Sequence, residues 1–114
     1  MTTSLSNHKS ETQLTASEAT LVSTNTTEKK FIGKFTLTNT SVNNVQVTLW
    51  RVASTTTGTT GSGGNWIYRE TIPAGKVVPV DRLQGHILGN SMKISGLADT
   101  ASVVNVDISG TTET

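Results

Sequence analysis

The sequence contains no cysteine, and this absence excludes disulfide bridges, thiolate nucleophiles and the commonest structural zinc sites. Aromatic residues are only 4% of the 114 positions and apolar residues only 33%, so a core has to be built from valine, isoleucine and leucine. Charged residues amount to 15% and the net charge is +1. Because so little charge creates no strong field, we expect neither a nucleic acid nor a membrane as partner.

Long apolar runs are also missing. No stretch approaches the ~20 apolar residues of a membrane span, and the first ten residues, MTTSLSNHKS, lack the apolar segment of a signal peptide. We therefore expect a protein made in soluble form inside the producing cell. Sequons begin at Asn25 and Asn39, and we interpret their threonine and serine residues as strand and turn formers.

The first 18 residues are polar and have no periodicity, with Leu5 and Leu14 as their large apolar side chains. They are predicted to form a flexible, extended N-terminal arm. A short helix from Ser10 is the alternative, because SETQ has capping-box spacing, but the threonine-rich interior argues against it. The predicted organisation is an arm over 1–18, one domain over 19–110 and a tail over 111–114.

Alternation of large and polar residues dominates the middle of the chain. It places Phe31, Gly33, Phe35 and Leu37 on one face of a predicted strand and resumes over residues 45–50. The intervening NTSVNN supplies side chains that bond their own backbone in turns. We therefore predict a β-hairpin with one face in the core.

The rest of the chain continues in short strands. Residues 53–65, ASTTTGTTGSGGN, contain four glycines and predict a long mobile loop. Strand character follows this loop and returns in the valine-rich stretches near residues 77–80 and 103–108. Seven or eight short strands with regular turn signals and no convincing helix predict an all-β fold, an antiparallel β-sandwich of the jelly-roll or immunoglobulin-like kind.

Residues that carry chemistry are few and scattered. His8 lies in the predicted arm and His86 in a turn, and neither has a second nitrogen ligand at metal spacing. The carboxylates Asp81, Asp99 and Asp107 are scattered and form no cluster in the sequence. We predict no metal, no cofactor and no catalytic residues, and hence a protein that is not an enzyme; a small esterase or glycosidase is the minor alternative.

Two tryptophans, Trp50 and Trp66, bracket the glycine-rich loop, and Tyr68 follows closely. They are predicted to form an interaction surface, together with Leu5 and Leu14 of the arm. The competing interpretation is that the tryptophans cover the end of the sandwich. A carbohydrate-binding or adhesive module that stacks sugars on Trp50 and Trp66 is therefore an alternative function.

A resemblance to a known group is carried by the order FTLTNTS, VQVTLW, TIPAGK, LQGHIL, MKISG and ASVVNVDISG, between Phe31 and Gly110. This order resembles small structural proteins of tailed bacteriophages. The group often has Gly-Asp before the penultimate strand, where this chain has Gly89 and Asn90.

The resemblance implies a non-enzymatic virion component, placed in many copies as a capsid decoration protein or as a neck, tail or fibre accessory. Its partners would be the major capsid protein or tail and neck proteins, and its location the virion, assembled in the host cytoplasm. A homo-oligomer is expected, trimers being common among head-decorating sandwiches. We further expect residues 2–18 to become ordered on a neighbouring subunit, so that deleting them would leave the fold intact and abolish incorporation.

Overall fold

The computed structural model describes residues 2–55 and 66–114. This part of the chain contains nine strands and no helix, which confirms the predicted all-β class. The strands are β1 (Thr3–Gln13), β2 (Ala19–Ser23), β3 (Lys29–Asn39), β4 (Val45–Ala53), β5 (Tyr68–Ile72), β6 (Val77–Pro79), β7 (Ile87–Leu88), β8 (Met92–Ala98) and β9 (Val104–Glu113). Most of the loop predicted over 53–65 lies outside the described residues.

The strands form two antiparallel sheets that pack together as a β-sandwich, as predicted. The first sheet has the order β1-β9-β3-β6, and β7 also pairs with β3. The second has the order β2-β8-β4-β5. Period-two alternation sends one face of each strand into the space between the sheets.

Aliphatic side chains fill this space, as the composition requires. In the first sheet Phe35 lies opposite Ile108 and Leu37 opposite Val106, and all four are buried. Buried valine, leucine and isoleucine side chains of β4 and β8 meet them from the second sheet. Phe35 is the largest of the fully buried side chains, and Tyr68 is the other aromatic residue of the core cluster, so two aromatic residues and many aliphatic ones build the core.

The segment predicted as a flexible arm differs in the structure, because residues 3–13 are the edge strand β1. Its register on β9 runs from Thr3 opposite Glu113 to Gln13 opposite Asn105. Residues 111–113 of the predicted tail are likewise part of β9. The register shifts twice and β1 contains no fully buried side chain, so its sequence shows no alternation that would reveal a strand.

The predicted hairpin is wrong in its pairing. Both strands exist, but β3 pairs with β9, β6 and β7, whereas β4 pairs with β5 and β8 in the other sheet. Residues 40–44 therefore cross from one sheet to the other. The expected turn chemistry is present, since the Asn39 Oδ1 accepts a 2.9 Å hydrogen bond from the backbone N–H of Ser41.

Candidate interaction surface

A bulge in β3 decides which of its side chains face outward. The register on β9 shifts between Ile32 and Lys34, so Gly33 is an extra residue in the strand. Ile32 is consequently buried with Phe35, and Phe31 is exposed. The prediction that Phe31 shares the core face with Phe35 is wrong, because one inserted residue exchanges the two faces of a strand.

Beyond the bulge, four side chains form a row across four strands. Leu5 of β1 lies opposite Thr111 of β9, Thr111 opposite Phe31 of β3, and Phe31 opposite Ile87 of β7. We call these four residues the outer strip. Leu5 is 91% exposed, Phe31 41% and Ile87 55%, and they are three of the five large exposed apolar residues in the described part of the chain.

The outer strip faces away from the second sheet. The alternate residues of the same strands point inward: Leu88 is fully buried, and the Lys30 Nζ donates a 2.8 Å hydrogen bond to the backbone carbonyl of Ser23 in β2. Because neighbouring residues of a strand point to opposite faces, Phe31 and Ile87 lie on the outside.

A second row on the same outer face carries charge. It consists of Thr3, Glu113 and Lys29, which lie opposite one another two residues further along β1, β9 and β3. We call it the charged row. A depression of about 290 Å³ lies between it and the outer strip, lined by Lys29, Phe31, Ile87, Thr111 and Glu113 among others.

On the other side of the outer strip lies a second depression of about 440 Å³, which is open because two of its lining residues are glycines. Gly33 and Gly110 line it, together with Leu5, Asn7, Lys34 and Ser109. The outer strip is thus a ridge between two shallow grooves. Such relief suits packing against another protein surface more than enclosure of a small molecule, which requires a deep cleft.

His8 fixes the backbone beneath the outer strip. Its Nε2 lies 3.0 Å from the carbonyl oxygen of Phe31, so the Nε2–H donates from β1 to β3 across the intervening β9. The other ring nitrogen, Nδ1, is buried without a hydrogen-bond partner. This bond connects the two strands that supply Leu5 and Phe31.

Three of the five residues predicted for an interaction surface are not on the surface. Leu14 is 1% exposed and belongs to the core, Trp50 is 3% exposed, and Tyr68 is buried. Trp66 is half-buried, and the guanidinium of Arg69 lies over its ring at 4.8 Å from the centroid. The predicted pair of stacking tryptophans is therefore not formed.

Leu5 is the predicted residue that the structure places on the candidate surface. Phe31 and Ile87 were missed, because Phe31 was assigned to the core and Ile87 lies in a two-residue strand. Gly33 is the sequence feature that could have predicted the exposure of Phe31, since a glycine inside a strand often marks a bulge.

Tyr68 is a titratable group whose surroundings change its pKa. Burial raises the pKa of its hydroxyl above the usual value of 10.0, and the nearby negative charge of Glu70 raises it further. Arg82 opposes this effect, and its guanidinium lies 3.5 Å from the Glu70 carboxylate. The increase in the pKa of Tyr68 caused by burial is larger than the decrease caused by the positive charge of Arg82.

Within residues 2–55 and 66–114, no group of three histidine or acidic side chains is arranged to hold a metal ion. A helix long and apolar enough to cross a membrane is likewise not found among the residues described.

Comparison with known proteins gives one structural similarity. The sequence matches no protein-family model and no curated protein. A solved structure described as "Structure of infectious bursal disease virus Gx strain" resembles the chain with a TM-score of 0.48 and 15% identity, over 97% of this chain and 32% of that one. The chain thus spans about a third of that viral protein, and a similarity this low says nothing about function.

Proposed function

We propose that the chain is a non-enzymatic structural protein of a tailed-bacteriophage virion. Its place there is that of a capsid decoration protein or of another head, neck or tail accessory. The observation that carries this proposal is the outer strip. The order of motifs between Phe31 and Gly110, which resembles small phage structural proteins, supports the assignment to a virion.

The outer strip has the properties of a protein contact. Contiguous apolar side chains on a soluble protein mark interaction sites, whereas single exposed ones are ordinary. Phe31 and Ile87 lie directly opposite each other, and Thr111 separates Phe31 from Leu5 in the same row. Because all four residues belong to strands of one sheet, binding orders little backbone and costs little conformational entropy. The strip therefore docks on a neighbouring virion protein such as the major capsid protein.

Contact with a neighbouring subunit, which the sequence predicts for an N-terminal arm, is in this proposal made by β1 as a strand of the sandwich. β1 places Leu5 in the strip while it pairs with β9. Deletion of residues 2–18 is no longer a clean test, because it would remove an edge strand and the buried Leu14. Point substitutions in the strip separate docking from folding.

The test is incorporation into particles that lack the protein. Purified wild-type chain is expected to bind such particles and to sediment with them, and the double variant Leu5→Asp, Phe31→Asp to remain in the supernatant. Val42→Asp is the matched control, because Val42 is an exposed apolar residue outside the strip, and it should bind like wild type. Circular dichroism melting verifies that each variant is folded.

Two results would contradict the proposal. Absence of the wild-type chain from purified particles would remove the virion role. Alternatively the strip variant could bind as well as wild type, which would remove the strip as the docking surface.

A further inference from the structure

We propose that in the free protein the outer strip binds a second copy of this chain, in a face-to-face dimer whose two-fold axis runs parallel to the strands, between β9 and β3. This dimer covers the strip, so the two copies separate before the strip docks on another virion protein. This inference names one partner of the surface used in the proposed function, but it stands on the strand register and does not require a virion. The first sheets of the two copies would lie about 10 Å apart with roughly aligned strands, as is usual for sheets that pack face to face.

The apolar residues match under this symmetry. Across the outer face the strands follow the order β1, β9, β3, β7. A two-fold axis between β9 and β3 brings β9 of one copy over β3 of the other, and β1 over β7. Leu5 then faces Ile87 of the second copy, and Phe31 faces Thr111 of the second copy.

The charges match under the same symmetry. In the charged row Glu113 belongs to β9 and Lys29 to β3. Glu113 of each copy therefore faces Lys29 of the other, and the contact occurs twice because the interface is isologous. Complementary charges of this kind select one arrangement among several that bury the same apolar residues.

Other positions of the axis lose this match. An axis along β9 itself would place Glu113 opposite Glu113 of the second copy. An axis perpendicular to the strands through the strip would bring Lys29 towards Lys34, which follows on the other side of Phe31 along β3. Among these two-fold arrangements, the register thus favours the axis between β9 and β3.

We call Lys29 of one copy and Glu113 of the other the facing pair. Exchanging the two charges between two variants tests this contact. Sedimentation equilibrium of the full chain should show a monomer–dimer equilibrium. Lys29→Glu and Glu113→Lys each oppose like charges twice in their own dimers, so each should weaken dimerisation at least about tenfold. An equimolar mixture of the two should restore dimers, because the new glutamate at position 29 then faces the new lysine at position 113.

Restoration by mixing identifies a contact between chains, since no effect on the folding of either variant can produce it. Lys34→Glu is the matched control: it makes the same change on the same face outside the facing pair, and it should dimerise like wild type. Leu5→Asp should abolish the dimer while it leaves the melting temperature within a few degrees of wild type.

The inference is overturned if wild type stays monomeric up to about 1 mM. It is also overturned if the mixture dimerises no better than its components, or if Lys34→Glu weakens the dimer as much as Lys29→Glu does. All these measurements use the purified chain alone. A virion role without a dimer, or a dimer without a virion role, would therefore be told apart.

Discussion

The side-chain amide of Asn39 donates a hydrogen bond to the carbonyl oxygen of Ile72, 2.9 Å away, and so joins the end of β3 in one sheet to the end of β5 in the other. The same amide donates to the carbonyl of Asn43 at 2.8 Å, and its oxygen accepts from the backbone N–H and the hydroxyl of Ser41. Asn39 is fully buried. It therefore fixes the corner at which the chain crosses between the sheets.

Replacing Asn39 by alanine should destabilise the sandwich. The substitution leaves the buried carbonyl of Ile72 without this donor, which we expect to cost about 1–3 kcal/mol in the free energy of unfolding, measured by urea denaturation. Asn43→Ala is the control, because the Asn43 side chain is exposed and its carbonyl is retained; its effect should lie within about 0.5 kcal/mol. Equal effects of the two variants would contradict the role of the corner.

Two leucines near the N-terminus should differ sharply in their contribution to stability. Leu14→Ala removes a buried side chain from the core and should cost about 2–5 kcal/mol. Leu5→Ala removes an exposed one and should change the unfolding free energy of the monomer by less than about 0.5 kcal/mol. Urea denaturation at low protein concentration measures both. A neutral Leu14→Ala would mean that the segment is a free arm after all.

Gly110 is required by the close approach of β9 and β3 at the bulge. A Cβ at this position would overlap the carbonyl oxygen of Phe31 and lie 2.9 Å from the Gly33 nitrogen. Because backbone cannot move aside easily, Gly110→Ala should lower the unfolding free energy by about 1–3 kcal/mol or more. Gly89→Ala would meet only the Met92 sulfur at 3.8 Å, so it serves as the tolerated control. If both variants melt at the wild-type temperature, the bulge geometry is wrong.

Tyr68 should make the protein less stable at high pH. Its pKa is raised in the folded state, so above pH 10 the unfolded chain loses this proton first and binds fewer protons than the folded chain. The stability contribution is complete below pH 10 and is lost as the pH rises through the folded pKa. Tyr68→Phe should abolish this part of the decline in unfolding free energy.

The ionisation of Tyr68 can be followed directly, because it is the sole tyrosine of the chain. Absorbance titration of the folded protein should give a midpoint above 10.0, and titration in urea should return it to about 10. A midpoint at or below that of the unfolded chain would contradict the buried hydroxyl.

Period-two patterns in the sequence were sufficient to predict the sandwich class and most strand positions, since alternation is a local property. Pairing was not predictable in the same way. The short link between β3 and β4 has the composition of a hairpin turn, yet Asn39 uses its side chain to connect two sheets. Whether a turn closes a hairpin or a corner depends on partners distant in sequence, and Ile72 lies 33 residues away.

The candidate surface was harder to predict than the fold. Leu5 was named, but the position of Phe31 depends on the bulge at Gly33, which shifts the face of every residue before it. The tryptophans were misassigned for a related reason. Trp50 follows the alternation onto the face opposite Val47 and is buried nevertheless, so alternation alone did not give its exposure.

Electron microscopy of purified particles tests the central claim, that the outer strip is where this sandwich meets other proteins. We predict density for the sandwich on the particle, with Leu5, Phe31 and Ile87 covered by a neighbouring protein. A map that shows the sandwich on the particle with these three side chains facing solvent, or particles that lack the protein, would contradict the account.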